Sequence, residues 1–326
     1  MWDFYLKYKN TSGKTHKRTK IHQKEEDKNM LNFEKFKDVT ITLISEYLPD
    51  ELNAEVTSCA IDKINTKKDG IKIKSGTTTM LIDANNIYAN YCMTGNIGMT
   101  LKITAENIVK QLDIITKRTV TIEPENIKAN IVFQLINKEQ NKEMLKNTPH
   151  RTWNDLAVIY RHMINEKNNQ GQIESMIITN ELMQSIELSE KEMFELAADN
   201  TKRIMKPNIK GISQIIPNVT NNMLVISNEM YFLGATSILY TDIMDKIATR
   251  LDSDLYIIPS SIHETIAIPD NAIDGIITPE ELSVMIKITN EEEINPEERL
   301  SNNLYHYNKN LKTITIVNTS GELPIT

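Results

Sequence analysis

The stretch Asn222 to Pro269 does most to limit what this chain can fold into. Its apolar runs are too short for long helices and suit strands, while one segment after Thr241 keeps a helical period. The order reads strand, turn, strand, helix, strand, then a polar elbow of Pro259, Ser260, Ser261, Ile262, His263 and Glu264, then a last strand. A chain built this way must alternate hairpins with helices.

The same plan recurs. Ser175-Met-Ile-Ile-Thr-Asn180 is matched by Ser237-Ile-Leu-Tyr-Thr-Asp242, and each leads through a Thr plus Asn or Asp cap into a helix. Thr79-Met-Leu-Ile-Asp83 is a fainter third copy. Repeated hairpin-then-helix modules predict an α+β fold of antiparallel sheets, with helices packed on one face.

A chain of 326 residues suits two or three units rather than one core. Residues 30–124 read as a small α+β unit, 125–317 as the main domain, and 318–326 as a tail. Residues 1–29 read as a disordered basic extension, with eight Lys or Arg against four Asp or Glu. Glu25-Glu26-Asp27 can be encoded by a purine-rich ribosome-binding site, so translation is expected to begin at Met30. The whole chain carries a charge of −7, which disfavours nucleic acid as a partner. No apolar run reaches the roughly 20 residues that cross a bilayer. The N-terminus has no apolar signal core, and Cys59 and Cys92 read as reduced core residues, so a cytoplasmic location is expected.

Local signals place the elements. Lys67-Lys68-Asp69-Gly70 predicts a hairpin turn, and Gly95 and Gly98 a helix break. Ser189 with Glu192, and Thr278 with Glu281, spell capping boxes. Pro149-His150-Arg151 reads as a corner, and Lys206 to Asn218, with two prolines, as a connector.

The chemistry-bearing candidates are few. Ser260, Ser261, His263 and Glu264 offer hydroxyl, imidazole and carboxylate, the parts of a nucleophilic triad. Packed into one short elbow, they fit a polar turn better, or a ligand or partner site. His150 could titrate near neutrality, and Arg151 could clamp an anion. Asp270 to Glu281 partly resembles a calcium loop, with acids at its first, fifth and last positions and glycine at its sixth. Ala272 and the incoming strand weigh against that reading. The histidines are dispersed, and no P-loop or dinucleotide fingerprint occurs. No cofactor, no metal and no catalytic residue is therefore expected.

Several runs carry a family likeness. They include IVFQLINKEQNKEMLKNTPHRTWNDLAVIYRHM, MIITNELMQSIELSEKEMFELAADNTKR, GATSILY, SDLYIIPSSIHETIAIP and ITPEELSVMIKITNEEEINPEERLSNNLYHY. From Met30 to Val317 the chain resembles an uncharacterised family of Gram-positive anaerobes, domain of unknown function 5688. Two places depart from it. Ile186-Glu187-Leu188 stands where an aromatic-glycine kink is expected, and Arg250-Leu251-Asp252 where a glycine helix stop is expected. The resemblance implies no activity. The expectation is a non-enzymatic binding or regulatory module, of the kind found among mobile-element accessory proteins, with a protein or small-molecule partner. A hydrolase or transferase using the elbow is the alternative.

Overall fold

The computed structural model describes residues 30–117, 123–165, 173–215, 223–259, 261–273 and 275–317. The basic extension, the start-site expectation, Ser260 and Asp274 lie outside these residues. The chain divides into two compact units between Thr121 and Ile122.

In the first unit, helix α1 (Phe33–Leu43) is capped by the Asn32 side chain, which accepts from the Lys35 N–H. Strands β1 (Glu55–Lys63), β2 (Thr66–Ser75) and β3 (Thr78–Asp83) form an antiparallel sheet in that order. Helices α2 (Ala84–Thr94) and α3 (Ile97–Lys117) follow. Period-two alternation puts Ile71 and Ile73 in the core with Phe36, Tyr91, Leu101 and Ile108, while Lys72 and Lys74 are exposed. Asp83 caps α2, and Gly95 closes it in the left-handed conformation, at φ 62°.

The first hairpin turns earlier than the Asp-Gly signal suggests. Lys63 pairs with Thr66, so the turn is Ile64-Asn65, with Asn65 at φ 63°. Gly70 instead lies inside β2, where an added Cβ would come within 2.4 Å of the Ile61 side chain. Packing, not turn chemistry, places that glycine. Gly98 falls within α3 and does not break it, and Cys92 is exposed rather than core.

The second unit opens with α4 (Pro124–Ala129) and β4 (Ile131–Asn137), then the short α5 (Lys142–Leu145). Strands β5 (His150–Trp153), β6 (Leu156–Asn165) and β7 (Glu174–Ile177) complete a four-stranded sheet, with β6 between β4 and β5 and also pairing β7. His150 and Arg151 thus sit on a strand, not a corner. Thr179 caps α6 (Asn180–Ser185), and the Ser189–Glu192 box opens α7 (Glu190–Ile204), which packs on β4.

A six-stranded antiparallel sheet follows, in the order β13-β12-β10-β11-β9-β8. Its strands are β8 (Pro207–Gly211), β9 (Leu224–Asn228), β10 (Leu255–Ile258), β11 (Thr265–Pro269), β12 (Tyr305–Asn308) and β13 (Thr313–Ile316). Helix α8 (Thr241–Leu251) shares a core with Ile226, Leu255, Ile257 and Ala267. Helix α9 (Pro279–Glu292) shares another with Val225, Ile258, Ile266 and Ile268. Neighbouring residues on one strand thus belong to opposite cores. The α+β class and its antiparallel sheets stand, and this sheet carries helices on both faces. That double burial explains why β10 and β11 read as continuous apolar runs.

The module repeat is only partial. Ser237 to Leu239, the start of the run matched in sequence to a strand, instead ends the largely buried 3-10 helix Gly234–Leu239. Helix α8 starts after Tyr240 with no side-chain cap. Where a glycine stop was expected, Asp252 adopts the left-handed conformation at φ 49°, and Glu187 does so at φ 55°. Both capping boxes form as read. Thr278→Ala is expected to cost about 1 kcal/mol, measured by urea unfolding; an unchanged midpoint would show that the box adds nothing. No helix among the described residues is long and apolar enough to cross a membrane.

Candidate functional site

The elbow joins β10 to β11, and its bonds run to the protein itself. Ser261 is buried, and its hydroxyl oxygen accepts from the His263 N–H at 3.1 Å, which closes a local turn. Ile262 donates its N–H to the Glu298 carbonyl at 2.9 Å and accepts from the Ala235 N–H at 3.2 Å. The His263 carbonyl accepts from the Ser227 hydroxyl at 2.8 Å. His263 Nδ1 accepts from the Leu233 N–H at 3.2 Å. A neutral His263 ring must then carry its proton on Nε2, which lies 4.0 Å from a Glu298 carboxylate oxygen. Glu264 is half-buried.

What the elbow holds is a tight loop. Asn228, fully buried, accepts on Oδ1 from the N–H groups of Met230 and Phe232 and donates from Nδ2 to the Phe232 carbonyl. Tyr231 and Leu233 both sit at positive φ, 52° and 55°, which is strained for bulky side chains. Gly234 then passes so close to Ser227 and His263 that no Cβ would fit. The elbow is a clamp on this loop, and its one described serine serves the backbone.

The other candidate pair is divided. His150 Nδ1 lies 2.8 Å from the Thr148 carbonyl. Arg151 faces the opposite side of the strand and forms a fork with Glu190, with Nε to Oε1 at 2.7 Å and Nη2 to Oε2 at 3.1 Å. Its guanidinium lies over the Phe194 ring, 3.7 Å from the centroid, and the Tyr160 hydroxyl also donates to Glu190. Burial alone would raise the Glu190 carboxyl, but the bonds from Arg151 and Tyr160 outweigh it and hold it below its ordinary range. Arg151 is therefore committed to an internal carboxylate. Arg161 is the contrasting cation. It bonds Ser175 and Gln134, all neutral oxygens, and burial lowers its pKa to about 10.

Among the described residues, one cluster has metal-ligand chemistry. Ligand atoms of Asp254, Asp270 and His306 lie within 4.8 Å of one another. His306 Nε2 is 3.0 Å from Asp270 and 4.0 Å from Asp254. Asp254 also accepts from the Asn308 side chain and the Lys309 N–H. These bonds tie β12 to the ends of β10 and β11. They also separate the calcium-like loop, since Asp270 turns to His306 while Glu281 caps Thr278.

A concave site lies elsewhere. A pocket of about 500 Å³ opens between α8 and the β8 edge of the six-stranded sheet. Pro207, Ile209, Leu224, Ile243 and Ile247 supply its apolar lining. Lys202, Lys246, Arg250 and Asp242 supply its charges. Lys202, from the last turn of α7, bonds Asp242 at 2.9 Å and lies over the Tyr240 ring. That bond is the main reason the Asp242 carboxyl sits below its usual range. Lys246 reaches the same carboxylate only at 3.9 Å, and Arg250 has no carboxylate partner among the described residues. The pocket is thus locally cationic on an acidic protein. His150, Arg151, Ser261, His263 and Glu264 do not line it.

The family model described as Family of unknown function (DUF5688) matches residues 33–309. The chain belongs to that family. No curated protein and no solved structure matches it. The match spans both units of this DUF5688 member and includes β8, α8 and the elbow alike.

Proposed function

We propose that this DUF5688 protein is a cytosolic, non-enzymatic binding module whose ligand joins an apolar body to a negative charge. The supporting observation is the pocket beside α8, with isoleucine and leucine walls and three cations against one carboxylate. Its volume is in the range that holds small ligands, roughly 300–1,000 Å³. Asp242 is already matched by Lys202, so Lys246 and Arg250 remain to meet an anion. The hydrolase alternative has less support. The Ser261 oxygen receives a backbone N–H, and His263 Nδ1 is engaged by Leu233, so neither is arranged as nucleophile and base.

Titration with dodecanoate, followed by calorimetry, tests the reading. One saturable site is expected, at least tenfold weaker in a Lys246→Glu, Arg250→Glu double variant and weaker again for uncharged dodecanol. Equal binding by wild type and variant would remove the pocket from consideration.

A further inference from the structure

The pocket has an unusual wall. Two of its apolar residues, Pro207 and Ile209, belong to β8, which among the described residues pairs with β9 alone. The register fixes which backbone groups are committed. Glu229 donates its N–H to the Lys206 carbonyl, and Ile212 donates to the Met223 carbonyl, both at 2.9 Å. With Asn208 opposite Ser227 and Lys210 opposite Val225, residues 206, 208, 210 and 212 turn their polar groups toward β9. Pro207, Ile209 and Gly211 therefore turn theirs outward. The open edge presents two N–H groups, of Ile209 and Gly211, and three carbonyls.

Side chains on that edge sort by face. Asn208 and Lys210 reach the Tyr231 hydroxyl on one side. Pro207 and Ile209 face the pocket with α8, and Ile209 is 39% exposed. A strand laid along β8 would set the side chain opposite Ile209 on the same face, where the pocket is. Lys202, Lys246 and Arg250 stand around that position, with Lys206 exposed just before the strand begins. A second copy of β8 would bring the same cations against their like, which disfavours self-pairing. An acidic strand meets no such opposition.

We infer that the ligand of this pocket is an extended acidic peptide segment that adds to β8 as a further strand, with an apolar side chain in the pocket and carboxylates on Lys246 and Arg250. This rests on the pocket reading above and names its partner. Backbone bonds to Ile209 and Gly211 supply affinity, and the pocket and cations supply selection.

The probe is a seven-residue peptide, capped at both ends, with a central leucine and glutamates two positions to either side. Two further versions carry N-methyl groups on alternate residues, odd or even. A docked strand uses one of its own edges, so one methylated version is expected to lose at least tenfold in affinity while the other keeps it. On the protein side, Gly211→Pro removes an outward N–H at a residue already at φ −64°, where proline fits, and Gly211 does not itself line the pocket: a Cβ there would meet only Ser213 Oγ, at 3.6 Å. It is expected to weaken the peptide at least tenfold and leave dodecanoate binding unchanged. Equal affinities for the two methylated peptides, or no effect of Gly211→Pro, would overturn strand addition. So would a peptide that fails to bind where dodecanoate binds, and that result leaves the pocket reading standing. Failure of both probes would end both readings.

Discussion

Gly234→Ala should destabilise the second unit by about 3 kcal/mol. An ideal Cβ at this position would lie 2.2 Å from Ser227 Oγ, 2.4 Å from the His263 carbonyl oxygen and 2.8 Å from Ser227 Cα. Two of the three obstacles are backbone atoms, which cannot swing away as a long side chain can. To admit the methyl, the loop must lift from the elbow. That loosens the bond from the Ser227 hydroxyl to the His263 carbonyl and the bond from the Ala235 N–H to the Ile262 carbonyl. It also releases Leu233, whose N–H is held by His263 while its own backbone is left-handed. Urea unfolding of the variant should give a lower midpoint at unchanged slope. Gly211→Ala is the control, since its Cβ would meet only Ser213 Oγ at 3.6 Å and no strain opposes it. If both variants unfold at the same urea concentration, the clamp is not what holds the loop.

How far the sequence reveals this fold depends on how local each signal is. Capping boxes are written in four consecutive residues, and those at Ser189 and Thr278 form as spelled. Turn and strand signals were less dependable because distant packing competes with them. The Asp69-Gly70 pair has the wording of a hairpin turn, yet the side chain of Ile61 needs the space that glycine leaves. The run Lys206 to Asn218 reads as a connector on its two prolines, yet Pro207 opens strand β8, which also carries lysine and glycine. An edge strand tolerates all three, since half its backbone groups have no ladder partner to lose. Ser237 to Leu239 read as the start of a strand but end the 3-10 helix Gly234–Leu239, which packs against β9.

The candidate site was less legible for the same reason. The elbow's position between two strands could be read, whereas its bonding partners Leu233 and Ser227 lie 30 and 36 residues away. The pocket draws on α7, β8, β9 and α8 together, and no spacing in the chain announces it. Its clearest trace in sequence is the run Asp242, Lys246, Arg250, which at four-residue steps shares one helix face. On its own such a stripe reads as a solvated surface.

Glu190→Ala should cost about 2–3 kcal/mol, less than a fully buried pair because both partners keep about a third of their exposure. The alanine leaves the buried Tyr160 hydroxyl without its acceptor and Arg151 over Phe194 without its counter-charge. The pH dependence separates charge from shape. Burial acts to raise the Glu190 carboxyl from its ordinary 4.5, but the bonds from Arg151 and Tyr160 prevail and its folded pKa is lowered. A lowered carboxyl contributes stability that is fully present above its unfolded value and is lost as pH falls through the folded value. The stability gap between wild type and Glu190→Gln should therefore be constant from neutral pH down to about 5. Below that it should close, because protonated glutamate and glutamine present the same neutral face to Arg151. A gap that stays constant to about pH 3 would mean that Glu190 acts by shape alone. A gap absent at neutral pH would mean that the Arg151 fork is a surface ion pair of no consequence, and that the aromatic stack on Phe194 carries the contact between β5 and α7.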